Sequence, residues 1–548
     1  MFIEKSFKFL QAGRQPKDIF ILFLLVLLLL LNSSYLHQEL NLFEWGLYLP
    51  GIDAVSHGQV PFRDFFHLRG PFELYLPALF MKIFGFRADV LAAYFYAGTV
   101  LTILVAVLIA YELIRQRALF YILGLILVTH TFPRSVFTFW GGMRYAWGML
   151  AVWCLVRFCK TKGPGWLMAA GCLAAISWFT SIEIGVISVG AFIAVMIFGP
   201  EYRPRAWGFI TGFLAVSVPY GIYLLGQNAF VPYVHAQWVV VTQMSKTFLQ
   251  VPPVPETVPE FLHAMFCPWD PSFYRVTPIY CFVFFFLFYF WRIVDKKATV
   301  LDHSALAVAV YGLVLFLTGF RLLGGPVFEM SLQPEKIVLF YLLEQLIVIT
   351  EAKLIKFRWV AFALLAAVII SSAIYFGGRI KTRYWEISGV LHFLVAQDKG
   401  KPELVNGWPA SRIDLPRIRH MTVPDWQAQD LEQLKVFIDS HVPAHETVWM
   451  YPELGSLNFI LNRPWVGRFP VATLAWMDDG WFSEYETQLE RHPPRYAIVN
   501  KVKPDCFDKV YFLVPANRVK YDQTMRFLHE HYAVEAQTPS YFIYRRIR

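Results

Sequence analysis

Apolar runs close to the length of a bilayer-crossing helix, separated by polar connections, fill residues 1–378. A spanning helix needs about 20 mainly apolar residues, somewhat fewer where flanking side chains reach the interface. That rule places spans at 17–35, 88–112, 117–133, 141–159, 164–181, 184–200, 206–226, 276–293, 303–322, 336–351 and 358–377. From 379 to 548 the pattern becomes that of a water-soluble domain. QDLEQLKVFIDSHV repeats its apolar residues at helical spacing, HETVWMYP and RYAIVNK read as strands, a helix follows around Asp522–His531, and SYFIYRR closes as a strand. The expected fold is a polytopic α-helical membrane domain of eleven spans, residues 1–378, followed by a small α/β domain, residues 379–548.

Charge assigns sides to the connections. Lys5, Lys8, Arg14 and Lys17 precede the first span, with no small-residue cleavage signal after it, so the first run is read as an uncleaved span with a cytoplasmic N-terminus. Every second connection is then basic: Arg115/Arg117, Arg157/Lys160/Lys162, Arg203/Arg205, Arg292/Lys296/Lys297 and Lys353/Lys356/Arg358. One missed or invented helix would break this alternation. The segments predicted to face outward are 36–87, 134–140, the turn near Ser181–Glu183, 227–275, 323–335 and the tail, 378–548. Segment 36–87 exceeds a simple connection and contains PFELYLPALFMKIFGF, too short to span and read as an interfacial or re-entrant helix. Segment 227–275 holds an amphipathic stretch, VPYVHAQWVVVTQMSKTFLQ, and a proline-rich rim.

Composition agrees. The 548 residues are 57% hydrophobic and 18% aromatic, with a mean hydropathy of +0.45. A net charge of +9 reads as cytoplasmic loops and headgroup contact rather than a nucleic-acid surface. Cys154, Cys159, Cys172, Cys267, Cys281 and Cys506 form no zinc or disulfide spacing, and no cofactor is expected.

Ionisable groups at the mouth of a helix bundle are expensive and point to function. On the predicted outer side lie Glu44, Asp53, Asp64, Arg63, Arg69, Arg144, Glu183, Arg321, Glu329, Glu335 and Lys336. Carboxylates beside arginines suit a reaction that takes a proton from a hydroxyl and binds a phosphate. Structural roles stand beside these: Asp64 as an ion pair with Arg63, Asp53 as a solvated helix position, Glu183 as a helix cap and Arg144 as an interface anchor. His57, His67 and His235 lack metal-ligand spacing and read as interfacial hydrogen-bonders.

The stretch HGQVPFRDFFHLRGPFELYLPALFMKIFG, residues 57–85, resembles the first outer loop of bacterial GT-C glycosyltransferases related to the protein O-mannosyltransferases and the lipid A aminoarabinose transferases. Their pattern is an acidic motif, then G-x-P-Y-R-D-F-F, then a G-P or K-P-P before an apolar run. The resemblance implies a GT-C fold and transfer of a sugar from a polyprenyl-phosphate donor to a lipid, glycan or protein acceptor outside the bacterial cytoplasmic membrane. It puts Glu44, in EWG, at the position of the catalytic carboxylate, where Asp is usual, and leaves Asp53 as the rival base. Arg69, in LRGP, falls where relatives carry a donor-phosphate-contacting Lys, with Arg63 and Arg144 as further phosphate candidates. Glu183 falls on an acidic position that some relatives share. SLQPEK, with Glu335 and Lys336, replaces the relatives' Arg-x-Asp-x-x-His. The ranking is Glu44, then Asp53, with Asp64 as scaffold. The competing readings are a transporter or flippase for a lipid-linked sugar, and an inactive, receptor-like member whose tail binds a partner.

Overall fold

The computed structural model describes residues 13–30, 40, 42–130, 142–250, 257–267, 270, 272–319, 326–353, 404–405, 408–452, 454–471 and 474–547. After α1 (Pro16–Leu30) the loop folds into three short helices, α2 (Leu42–Gly46), α3 (Leu49–Ser56) and α4 (Phe72–Phe84). The bundle continues as α5 (Ala88–Leu113), α6 (Arg117–His130), α7 (Gly142–Thr161), α8 (Pro164–Thr180), α9 (Ile182–Phe198) and α10 (Trp207–Gly226). Next come α11 (Phe230–Leu249), α12 (Val258–Phe266), α13 (Phe273–Val294), α14 (Val300–Gly319) and α15 (Pro326–Lys353). Ten of the eleven predicted spans fall on helices; the eleventh, 358–377, lies outside the described residues. Among the described residues, three helices are long and apolar enough to cross a membrane by length and composition: α5, α10 and α14. One boundary moves substantially. α15 starts at Pro326, well before the predicted 336, because Pro334 sits inside the helix instead of ending it, packed on Gly312 of α14.

The alternation of charge appears as a shared end of the bundle. Asp18 at the start of α1 pairs with Arg117 at the start of α6 (2.7 Å). Glu112 at the end of α5 pairs with Arg157 (2.8 Å) and Lys160 at the end of α7. Arg292 near the end of α13 meets Asp302 at the start of α14 (3.4 Å), and Glu201 meets His303 (3.5 Å). Glu344 of α15 accepts from the main-chain nitrogens of Arg115 and Gln116 (2.8 and 2.5 Å). Asp18, Glu112, Asp302 and Glu344, all buried, hold the helix ends by charge-assisted bonds where hydrophobic burial gives no registry. Mid-bundle, small residues let backbones approach: a Cβ on Gly171 of α8 would lie 2.1 Å from the Phe209 carbonyl oxygen of α10, and one on Gly212 would lie 2.0 Å from that of Met168.

At the opposite end sits the loop. α4 has 13 residues, about 20 Å of helix against a hydrocarbon core of about 30 Å, and Leu79, Ile83 and Phe84 stay exposed. The expected short interfacial segment is therefore a helix too short to cross. Gly70 fixes its entry: the Gly70 nitrogen donates to the Thr180 carbonyl (3.1 Å), and a Cβ there would lie 2.0 Å from the Phe179 carbonyl oxygen. Backbone occupies that space, so no side-chain shift relieves it. Gly70→Ala is expected to cost at least about 2–3 kcal/mol by overpacking, measured as a fall in the thermal midpoint of the detergent-solubilised protein; an unchanged midpoint would refute the close approach.

The tail carries β1 (Leu404–Val405), β2 (Trp408–Arg412) and β3 (Thr422–Pro424) in a small antiparallel sheet, then α16 (Asp425–His441). β4 (Val448–Tyr451), α17 (Gly455–Leu461), α18 (Asp479–Arg491), β5 (Tyr496–Asn500), α19 (Asp505–Lys509), α20 (Pro515–His531), β6 (Tyr532–Gln537) and β7 (Tyr541–Arg546) complete it. The main sheet has the order β4-β5-β7-β6, with β4 parallel to β5 and the other pairs antiparallel. The predicted helix and strands appear as α16, β4, β5, α20 and β7.

Loop and tail share two apolar cores. Trp45, Leu49, Ile52 and Phe65 pack with Leu457, Ile460 and Ile498; Phe62 and Phe66 pack with Phe469, Trp481 and Tyr485. The main chain also joins them: Phe66 N donates to Arg468 O (2.6 Å) and Ala88 N to Arg417 O (2.9 Å).

Candidate functional site

The carboxylates of the loop separate by what holds them. Asp64 accepts from Arg63 Nε (2.7 Å) and Nη2 (2.8 Å) and from the Val60 main-chain nitrogen (2.7 Å), and Arg63 Nη1 reaches the Gln227 carbonyl (3.0 Å). These bonds, the guanidinium first, hold its carboxyl below the usual carboxylate range. These bonds fasten the loop through Asp64. Asp53 is not merely a solvated helix position: it accepts from Arg417 Nη1 (3.0 Å), its second neighbour is His57 (3.9 Å), and it ties α3 to the tail. Glu44 lies in α2, one residue before the buried Trp45 and four before Tyr48.

Tyr48 leads to the buried charges. Arg69 Nη1 donates to Tyr48 Oη (2.6 Å) and to Glu73 Oε1 (3.0 Å), one helical turn on in α4. Arg144, in the first turn of α7 and 2% exposed, donates through Nη1 to Glu183 Oε1 (2.8 Å) and through Nη2 to Tyr145 Oη (2.7 Å). Ser181 Oγ donates to the same Glu183 oxygen (3.2 Å), so Glu183 serves Arg144 rather than capping α9. The two pairs feel each other: Arg69 senses Glu183, and Glu73 senses Arg144. Burial draws the Arg69 guanidinium down, but Glu73, Tyr48 and Glu183 outweigh it and keep it charged. The Arg69–Glu73 and Arg144–Glu183 pairs thus lie near enough to influence each other electrostatically, with Tyr48 bonded to Arg69 and Tyr145 to Arg144.

Paired arginines of this kind supply fixed donors whose chemistry suits a phosphate or an oxyanion. No family model matches this chain, and no curated protein does. Among solved structures, ArnT from Cupriavidus metallidurans, bound to undecaprenyl phosphate, superposes with a TM-score of 0.53 at 12% identity, covering 97% of this chain and 98% of that one. The chain shares the fold of that protein. AglB from Archaeoglobus fulgidus, in complex with an inhibitory peptide and a dolichol-phosphate, aligns with a TM-score of 0.45 at 12% identity, over 94% of this chain and 72% of that one.

Within this fold, the sequence-named Arg69, Arg144 and Glu183 lie near one another, while Arg63, Asp64 and Asp53 serve the loop and its clasp on the tail. Lys336 pairs with Glu335 on its own helix (2.9 Å), apart from the Arg69 network. Arg321 lies outside the described residues. Glu73 was missed: it is the sole acidic residue of FELYLPALFMKIF and stands four residues after Arg69, a spacing that pairs side chains along a helix.

His67, fully buried against Tyr48, adds a pH dependence. Burial, then Arg69, push its imidazole down to about 3 from the ordinary 6.5, so the folded loop holds it neutral. Its contribution to stability is complete above pH 6.5 and is lost as pH falls from 6.5 towards 3, because only the unfolded chain takes up the proton, at up to about 1.4 kcal/mol per pH unit. The thermal midpoint of the wild type should fall more steeply than that of His67→Phe between pH 6.5 and 4.5; parallel profiles would remove His67 as the cause.

Proposed function

We propose that the protein is a membrane glycosyltransferase that moves a sugar from a polyprenyl-phosphate donor to a lipid, glycan or protein acceptor on the outer side of the bacterial cytoplasmic membrane. The N-terminus is cytoplasmic, eleven helices span, residues 1–378 form the transmembrane domain and residues 379–548 the outer domain. The observation that carries this reading is the buried pair of arginines, Arg69 and Arg144, at the loop end of a GT-C fold. The charge network at the other end supports the orientation, since Arg115, Arg117, Arg157, Lys160 and Arg292 belong there and basic loops stay cytoplasmic. Exposed Ile210, Leu214, Val218, Ile222 and Leu225 give α10 a lipid-facing surface.

In the proposed reaction, Glu44 takes the proton of the acceptor hydroxyl as its oxygen bonds to the anomeric carbon. The bond from that carbon to the phosphate oxygen breaks, and polyprenyl phosphate leaves with the electron pair. Arg69 and Arg144 stabilise the charge that develops on the leaving oxygen. Half-buried Tyr75 and exposed Tyr223, whose hydroxyls lie 3.1 Å apart, close the loop against α10 beside a route for the prenyl chain.

The test is a reconstituted preparation given radiolabelled polyprenyl-phosphate sugar and a crude envelope acceptor fraction. Label appearing on the acceptor, with polyprenyl phosphate released, supports the transferase. Movement of the intact lipid-linked sugar across the bilayer without release overturns it in favour of a flippase.

A further inference from the structure

Between α3 and the tail lies an open-sided cavity of about 280 Å³, outside the arginine network. Its loop wall carries Asp53, Gln59 and Asp64; its tail wall carries Phe459, Arg463 and Trp465. We propose that this cavity binds a neutral sugar ring of a glycan acceptor, holding the acceptor beside the transfer site.

The chemistry selects a neutral polyol. Both carboxylates already have a counter-charge: Asp53 takes Arg417 (3.0 Å) and Asp64 takes Arg63 (2.7 Å). A cation would have to displace a guanidinium, and an anion meets carboxylates whose arginines are spoken for. Each carboxylate still has acceptor capacity, because two oxygens offer about four lone-pair sites, so hydroxyl groups are suitable donors to it. Arg463, nine-tenths buried, spends its Nη atoms on the carbonyls of Leu461, Asn462 and Val442 and on Asp439, and so stiffens the tail wall without offering a hydrogen bond to a guest. The donor comes from the loop wall. Gln59 is exposed and brings an amide with both donor and acceptor atoms. Phe459 and Trp465 add the apolar walls that a ring's C–H faces need, and Trp465 is set by its edge-on contact with Phe65 (6.3 Å between centroids). The volume is near the lower end of small-molecule pockets, at about 300 Å³, the scale of a sugar ring.

The identity of the glycan as acceptor rests on the transferase reading; binding itself does not. The full chain in detergent is to be titrated with mannotriose, maltotriose and tri-N-acetylchitotriose by saturation-transfer NMR, alongside Trp465→Ala and Gln59→Trp. At least one probe should bind the wild type, and each variant should weaken it about tenfold or more through lost ring contact or a filled cavity. Gln59 is exposed, so Gln59→Trp keeps its thermal midpoint and separates lost binding from lost folding. No saturation of any probe, or binding indifferent to Gln59→Trp, overturns the proposal. Transfer from a polyprenyl donor, assayed in the same preparation, separates the two readings. Sugar binding without transfer leaves the cavity standing and removes the transferase, whereas transfer without sugar binding does the reverse.

Discussion

Glu44→Gln is expected to lower turnover by about 10²–10⁴-fold, the usual worth of general-base help, with donor binding close to wild type. The amide keeps the shape and hydrogen bonding of the carboxylate but cannot take the acceptor's proton, so the loss belongs in kcat. The competing carboxylates are engaged elsewhere. Asp64 already accepts three bonds from Arg63 and Val60, and its carboxyl is held below its ordinary range, which lowers its appetite for a proton. Asp53 is spent on Arg417, across the clasp between α3 and the tail. Asp53→Asn should therefore loosen that clasp, seen as faster amide exchange near Arg417, while turnover per folded molecule at saturating acceptor stays within a few-fold of wild type. Single-turnover rates on pre-bound donor provide the measurement. Near wild-type turnover in Glu44→Gln together with a large loss in Asp53→Asn would transfer the base to Asp53.

The helices were legible because a bilayer-length apolar run is a strong local signal, and alternate basic connections check their number. The tail's α16, β4, β5 and β7 were legible for a similar reason, as their apolar periodicity is undisturbed. β6 was not: only its first residue, Tyr532, is buried, and a bulge between Val534 and Ala536 breaks the alternation that marks a strand. The predicted span began at 336 and so missed the early start of α15, which runs through Pro334. Within the site, Arg69 and Arg144 could be picked out because charge is rare in their surroundings. Their pairing could not, since Arg144 and Glu183 stand 39 residues apart and Asp53 and Arg417 stand 364 apart. Periodicity tells which face of an element is buried and nothing about which distant loop meets it. Glu73 is different. It was readable from its spacing to Arg69, and its apolar neighbours disguised it as part of a plain interfacial helix.

Arg69→Gln is the change with the second-largest expected effect, and it separates chemistry from scaffolding only together with its partner. Arg69 is largely buried and Glu73 more so, 16% and 7% exposed at the side chain, with 3.0 Å between them. Removing the guanidinium leaves Glu73 charged and unpaired in a dry setting, which costs about 3–5 kcal/mol. In the proposed reaction it also removes a donor to the leaving phosphate, a loss of about 10²–10³ in kcat. A fall in activity from the single variant is therefore ambiguous. In Arg69→Met with Glu73→Leu both charges go, and an apolar pair of similar volume restores stability to about that of wild type or above it. Turnover should stay down by the full factor in that double variant, since no donor has returned. Glu73→Gln should behave differently again. Arg69 keeps its charge and its bond to Tyr48, the network gains net positive charge, and the donor phosphate should bind more tightly while polyprenyl phosphate leaves more slowly, so KM and kcat fall together. Thermal midpoints and steady-state kinetics on the three variants give the answer. Should turnover come back with the fold in the double variant, the Arg69–Glu73 pair is scaffold and the phosphate site belongs to Arg144 alone.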